Sequence, residues 1–249
     1  MAGHSKWANI QHKKAATDKK RAKVFTRVLK EITVAARMGG GDPDGNPRLR
    51  NAIQEGKANN VPSDNMERAI KKGTGELEGA DYEEITYEGY GPGGLAVLVE
   101  VMTDNRNRTV GEVRHVFSRY GGNLGENGCV AWMFDRRGLF ILDPEGMDED
   151  RLMEVALEVE AEDYSAEDDS FQIFTAADAF HTVGEALDAL DGVKVATRQI
   201  AMIPQNTVDL DEEKAKQALK FMDAIEDQDD VQNVWANLEV SDEVLAALV

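Results

Sequence analysis

Residues 82–101 read YEEITYEGYGPGGLAVLVEV, and the decision about the fold lies in them. Ile85 and Tyr87 alternate with polar neighbours, and Leu95 to Val101 is a short, branched apolar run of the kind that forms strands. Between them Gly89-Tyr90-Gly91-Pro92-Gly93-Gly94 supplies residues suited to a tight reversal. The segment therefore predicts a β-hairpin. Its glycines superficially match a dinucleotide-binding loop, but that loop joins a strand to a helix, and here a strand follows.

Upstream of residue 82 the period is helical. From Lys23 to Met38, Val24, Phe25, Val28, Leu29, Ile32, Ala35 and Ala36 form one apolar stripe, ended by Gly39-Gly40-Gly41. Asn46 predicts the cap of a second helix, with Pro47 in the tolerated first position. Past Pro62, Asp64 and Glu67 resemble a capping box for a third helix that closes at Lys71-Lys72-Gly73. The two lysines serve either to satisfy that helix end or to contact a ligand. Gly73 to Ala80 reads as a linker.

Downstream, strands and helices alternate. A helix over Thr109 to Tyr120 is followed by strands at Val130 to Phe134 and Leu139 to Leu142. Next come a helix over Met147 to Val159, a strand at Phe171 to Phe174, a helix over Ala177 to Leu190 and a strand at Lys194 to Ile203. A helix over Glu212 to Ile225 and a strand at Val231 to Leu238 close the chain. The fold class expected is a multidomain α+β chain: a three-helix domain, then two α/β sandwiches of the split βαβ, ferredoxin-like kind. The expected domains are 1–80, a discontinuous 81–135 plus 204–249, and an inserted 136–203. The last helix and strand have no partners of their own and are expected to return to the first α/β unit.

The charge is as uneven as the periodicity. The 249 residues carry a net charge of −19, but residues 1–80 hold 16 basic and 9 acidic side chains, whereas 81–249 hold 12 and 38. Such asymmetry suggests one part that meets a polyanion and another that is solvated or meets a protein partner. Repulsion from the acidic remainder is screened beyond about 10 Å at ~0.1 M salt, so a local basic patch can bind. Lys6, Lys13, Lys14, Lys19, Lys20, Arg21, Lys23 and Arg27 are interleaved with Trp7, Asn9, Gln11 and two histidines. Lys and Arg neutralise phosphates, and a tryptophan stacks on an unpaired base. Lys6, Trp7, Lys13, Lys14, Lys19, Lys20, Arg21, Lys23 and Arg27 are accordingly the candidate nucleic-acid contacts. The other reading makes them a solvated helix face, with Trp7 a staple against the bundle. Arg106 and Arg108 form a second contact loop or pair with nearby acids.

Signatures of other classes are missing. There is no GxxxxGK[ST] phosphate loop and no GxSxG elbow, and the four histidines are scattered. No catalytic, cofactor or metal site is expected. Cys129 is alone, which excludes an internal disulfide and fits a reduced compartment; before Val130-Ala131-Trp132 it reads as a small buried residue. The stretch Glu145 to Asp169, with twelve acids and one base, reads as a solvated face, with a weak cation site as the other possibility. No apolar run is long enough to span a membrane and none resembles a secretory signal, so the expected location is cytoplasmic.

The opening AGHSKWANIQHKKAATDKKRAKVFTRVLKEI, with GGGDPDGNPRLRNAIQEGKANNVPSDNMERAIKKG, YEGYGPGGLAVLVEVMTDNRNRT and GGNLGENGCVAWMFDRRG, resembles the YebC/PmpR family along essentially the whole chain. The resemblance implies a cytoplasmic three-domain protein with a helical domain and two α/β domains. It also implies a role in gene expression without a known catalytic activity. The family is commonly described as DNA-binding transcriptional regulators, with a mitochondrial relative that activates translation. The expected partner is therefore nucleic acid, taken first as promoter DNA, with ribosomal or messenger RNA as the alternative. No membrane or small-molecule substrate is implied.

Overall fold

The computed structural model of the chain describes residues 18–167 and 170–239. Helix α1 (Asp18–Gly39) ends where Gly40 turns into the left-handed region at φ 87°, which glycine adopts without strain. Helix α2 (Pro47–Ala58) starts at Asn46, whose Oδ1 accepts from the Leu49 amide at 3.1 Å. The same side chain is buried and donates through Nδ2 to the Ala35 and Gly40 carbonyls, at 2.8 and 2.9 Å. One residue thus caps α2 and closes the end of α1. Helix α3 (Ser63–Gly73) corrects the expected capping box. Its cap position is Pro62, at φ −57°, and no side chain caps it; the Pro62 carbonyl accepts from Asn65 and Met66. Ser63 is already helical, so Asp64 stands inside the first turn and cannot serve as the cap. Val28, Ile32, Leu49, Ala52, Met66 and Ala69 close a core of their own among the three helices.

Strands β1 (Glu83–Tyr90) and β2 (Ala96–Thr103) pair antiparallel, with Tyr87 opposite Val99, and Gly93 and Gly94 take positive φ in the reversal. Helix α4 (Arg106–Arg119) begins earlier than its apolar stripe suggests, because the Asn105 side chain accepts from the Arg108 amide. A two-residue strand β3 (Asn123–Leu124) adds to β1. The expected strand at Val130 to Phe134 is not formed. Ala131–Met133 make a 3-10 turn, and Phe134 opens a nine-residue strand β4 (Phe134–Leu142). The amides of Gly128, Val130 and Ala131 donate instead to the buried Glu88 carboxylate, at 2.6, 2.9 and 2.8 Å, and are lost to a ladder. Burial pushes the Glu88 carboxyl up, but these three donors outweigh it and hold it below the ordinary range.

Helix α5 (Glu149–Glu158), strands β5 (Asp163–Glu167) and β6 (Ser170–Ala176), helix α6 (Phe180–Ala189) and strand β7 (Val195–Pro204) follow. Their sheet has the order β5-β6-β4-β7, antiparallel throughout, which is the ferredoxin-like arrangement. After β8 (Val208–Asp209), helix α7 (Glu212–Glu226) leads into β9 (Val231–Ala236) and β10 (Leu238–Glu239), the last parallel to β8. The strand expected over Val231 to Leu238 breaks at Asn237, whose side chain accepts from the Ala96 amide at 2.8 Å. β9 pairs with β2, giving the first sheet the order β3-β1-β2-β9. This is the same spatial arrangement as the second sheet, with the third position filled by a strand from before the first.

Alternation along the strands then builds layers. Val97, Val99 and Val101 face α4 and α7, in a core with Phe117 and Phe221. Phe140, Leu142 and Ile173 face α5 and α6. Ala96, Leu98, Leu139, Ile141, Phe174, Ala201 and Trp235, from the opposite faces, pack the two sheets on one another. Both sheets are thus covered on both sides. The chain is an α+β fold with an N-terminal helical part followed by two α/β domains.

Candidate nucleic-acid interface

The basic N-terminal region divides into cations that hold the molecule together and cations left for something else. Lys6, Trp7, Lys13 and Lys14 lie outside the described residues. Lys19, Lys20 and Arg21 stand in the first turn of α1. Lys23, Arg27 and Lys30 follow at i, i+4 and i+7 on one helix face, and that face lies against the turn between α7 and β9. Lys23 Nζ donates to the Glu226 carbonyl and lies 3.9 Å from Asp227. Burial pushes its ammonium down, against the nearby Asp227. Arg27 Nη2 donates to Asn233 Oδ1 at 3.0 Å, and Asn233 in turn donates to Glu100 at 2.9 Å.

Lys30 is buried. Its Nζ donates to Asp230 Oδ1, the Asp229 carbonyl and the Met102 carbonyl, at 2.9, 3.0 and 3.2 Å. Asp230 also accepts from Arg108 Nη2, Thr109 Oγ1 and Thr103 Oγ1, at 2.6, 2.7 and 3.0 Å. Burial pushes its carboxyl up, yet Arg108, Lys30 and Thr109 together hold it well below the usual carboxylate range. Of the two readings of TDNRNRT, Arg108 follows the second: it pairs with Asp104 and Asp230. Arg106 makes no ion pair among the described residues.

Three further cations of the helical unit are taken up in the same way. Arg48 forks onto Glu31, at 2.6 and 3.0 Å, and onto Glu84, at 3.0 and 2.6 Å. Arg37 reaches Asp81 at 3.0 Å, and Arg50 Nη2 meets His181 Nε2 of α6 at 3.0 Å. Part of the opposed charge of the two halves is therefore spent within the chain. Sequence counting could not separate these residues from free cations, because a partner two hundred residues away leaves no local trace.

Within the helical unit, the described cations that remain exposed and without an ion pair are Lys57, Arg68, Lys71 and Lys72. Arg68 and Lys72, one turn apart on α3, line with Asn65 and Tyr82 a cleft of about 350 Å³ beside α1. The sequence offers Lys71 and Lys72 as a helix end or a ligand contact; that Arg68 joins Lys72 at this cleft is shown by the fold. Trp132 is 68% exposed, and its Nε1 donates to the Cys129 carbonyl at 3.2 Å. Tyr90 Oη donates to the same carbonyl at 3.3 Å. Cys129 itself is half-buried, and burial beside Glu88 pushes its thiol up, away from the thiolate a nucleophile needs. Among the described residues no three His, Cys, Asp or Glu side chains are grouped to hold a metal ion, and no helix is long and apolar enough to cross a membrane.

Comparison with known proteins places this arrangement. The model of the TACO1/YebC N-terminal domain matches residues 5–76, and that of the TACO1/YebC second and third domain matches 82–238. A relative from Desulfosudis oleivorans, named probable transcriptional regulatory protein, is 57% identical over 98% of this chain and 99% of its own. One of the same designation from Geobacter sulfurreducens is 57% identical over the full length of both. The crystal structure of a conserved hypothetical protein from Aquifex aeolicus superposes with a TM-score of 0.88 at 49% identity, covering 96% of this chain and 98% of that one. The helical domain, the two α/β domains and the matches across both make this chain a member of the TACO1/YebC family.

Proposed function

We propose that the protein is a non-enzymatic, DNA-binding regulator of transcription that works in the cytoplasm. Residues 1–80 form the binding domain in this reading. Residues 81–135 with 204–249, and the inserted 136–203, form two acidic α/β domains that project from the polyanion and offer a surface to a protein partner. The observation that carries the reading is the excess of ten basic over two acidic residues in positions 1–38. It is supported by the exposed Arg68, Lys71 and Lys72, which have no ion pair among the described residues, and by the regulatory names of the relatives. Lys6, Trp7, Lys13, Lys14, Lys19, Lys20 and Arg21 make the primary contacts; Lys23 and Arg27 dock the helical domain on its neighbour. No cofactor or small-molecule substrate enters the proposal.

The test is binding of the full chain to a duplex DNA and to an RNA hairpin across a salt series, read by fluorescence anisotropy. Changing Lys13, Lys14, Lys19 and Lys20 to Ala should weaken binding to all duplex sequences about equally and flatten the logarithmic salt slope by about 0.9 per lost contact. An unchanged slope would remove these lysines from the interface. Binding to the hairpin alone would overturn the DNA reading in favour of a role in translation.

A further inference from the structure

Helix α4 is the exception in the acidic part of the chain. Within Arg106–Arg119 stand four arginines and one acid, whereas residues 81–249 as a whole hold 12 bases and 38 acids. Thr109, Val113, Val116 and Phe117 are buried on the sheet side. The outer side presents Arg114, His115, Ser118 and Arg119, all exposed. Most other cations of this region are neutralised locally: Arg151 by Glu154, Lys194 by Glu145, Arg198 by Asp188, Lys216 by Glu212. Arg106, Arg114 and Arg119 have no ion pair among the described residues, although this part of the sequence holds 38 acids.

The second observation is Gly111, exposed in the middle of this helix. Glycine there weakens a helix relative to alanine, so packing usually explains it. Here packing does not: a Cβ built on Gly111 would meet no atom within 4 Å, in contrast to Gly73, where it would lie 2.4 Å from the Thr33 carbonyl. Gly111 forms the open floor of a cleft of about 420 Å³ between α4 and the end of α7, bounded by Arg108, His115, Arg119, Ala224 and Gln228, with Glu112 as the acid in its lining. Gly111, His115 and Arg119 stand in one i, i+4 row, with Arg114 in the neighbouring row. Cations are thus ranged about a stretch of helix with no side chain to obstruct a close approach.

We infer that the outer face of α4, over Gly111 and between Arg114 and Arg119, is a second nucleic-acid contact that takes the phosphodiester backbone. The glycine leaves room for a phosphate against the helix surface, and the two arginines neutralise it or its neighbours. The inference rests on nucleic acid being the partner, and departs from that reading in one respect: the domain that carries α4 lies on the polymer instead of projecting from it.

The test uses the full chain on a duplex DNA and an RNA hairpin, by anisotropy over a salt series. Arg114→Gln with Arg119→Gln should weaken binding at least tenfold at low salt. It should flatten the salt slope by about 1.8 if the duplex is seated there, or about 1.4 if the unpaired loop of the hairpin is. The control, Arg136→Gln with Arg137→Gln, removes the same charge from β4 and should change affinity less than twofold. Gly111→Ala should raise the melting temperature by roughly 2–4 °C while weakening binding at least threefold, a combination that a purely structural glycine would not produce. Arginine variants indistinguishable from the control would overturn the inference, as would a stabilised Gly111→Ala with full affinity. Loss of binding to polyglutamate with unchanged nucleic-acid slopes would assign the face to an acidic protein segment, and also overturn it. If α4 variants bind normally while the lysine variants do not, only the inference fails; if the wild-type chain binds neither polymer, the proposed function fails with it.

Discussion

Lys30 Nζ lies 2.9 Å from Asp230 Oδ1, and both side chains are buried, one on the first described helix and the other in the turn before β9. The pair fastens the helical domain to an α/β domain, and Arg108, Thr103 and Thr109 complete the shell around the carboxylate. Such a pair is not itself strong evidence of stabilisation, but breaking one side leaves a buried charge without its counterpart.

Asp230→Asn should therefore lower stability by about 3–5 kcal/mol, measured by denaturant unfolding. Asp230→Asn combined with Lys30→Met should cost less than the sum of the two single changes. Strict additivity would show that the two residues are not energetically coupled.

Glu88 gives a pH prediction. Its folded carboxyl is held below the ordinary value by the Gly128, Val130 and Ala131 amides. The stability it contributes is complete above the unfolded value of about 4.3 and is lost as pH falls through the lower folded value. Glu88→Gln should be less stable than wild type at neutral pH, by roughly 1–3 kcal/mol, with the gap narrowing below about pH 4. A gap that widens on acidification would contradict the assignment.

Asn46 separates two roles in one side chain. Asn46→Asp keeps the acceptor for the Leu49 amide but loses the donors to Ala35 and Gly40. Both Asn46→Asp and Asn46→Ala should destabilise the chain, with Ala costing at least the ~1 kcal/mol typical of a lost cap. Thermal melts showing Asn46→Asp equal to wild type would mean that the donated bonds contribute nothing.

Lys23 and Arg27 are engaged with Glu226, Asp227 and Asn233. Changing both to Gln should leave the salt slope of nucleic-acid binding within about 0.5 of wild type, since neither is a phosphate contact in this arrangement. A loss near 1.8 would show that they leave the junction when the polymer binds.

Trp7 distinguishes the polymers. Trp7→Ala should change duplex affinity less than about twofold, because paired bases offer no free face. It should weaken binding to looped RNA at least fivefold if Trp7 stacks, which is about 1 kcal/mol. Circular dichroism must show the helical content retained.

Local structure is legible in the sequence, since its causes are local. The apolar stripe and glycine stop of α1, the Asn46 cap and the Gly-Pro-Gly-Gly reversal between β1 and β2 were all readable within a few residues. Where a distant group competed, local reading failed. Val130 and Ala131 look like strand residues, but Glu88, some forty positions earlier, takes their amides. Edge strand β5, with polar residues such as Asp163 and Ser165, carries too little alternation to be recognised. The candidate site divides along the same line. A cluster of Lys and Arg is visible as composition, but whether a given cation is free depends on what the fold sets opposite it. Only the tertiary structure brought Asp230 to Lys30 and Glu84 to Arg48, and left Arg114 and Arg119 without an ion pair around Gly111. Pairing between charges far apart in sequence follows from how the sheets and helices pack, and no property of the neighbouring residues encodes it.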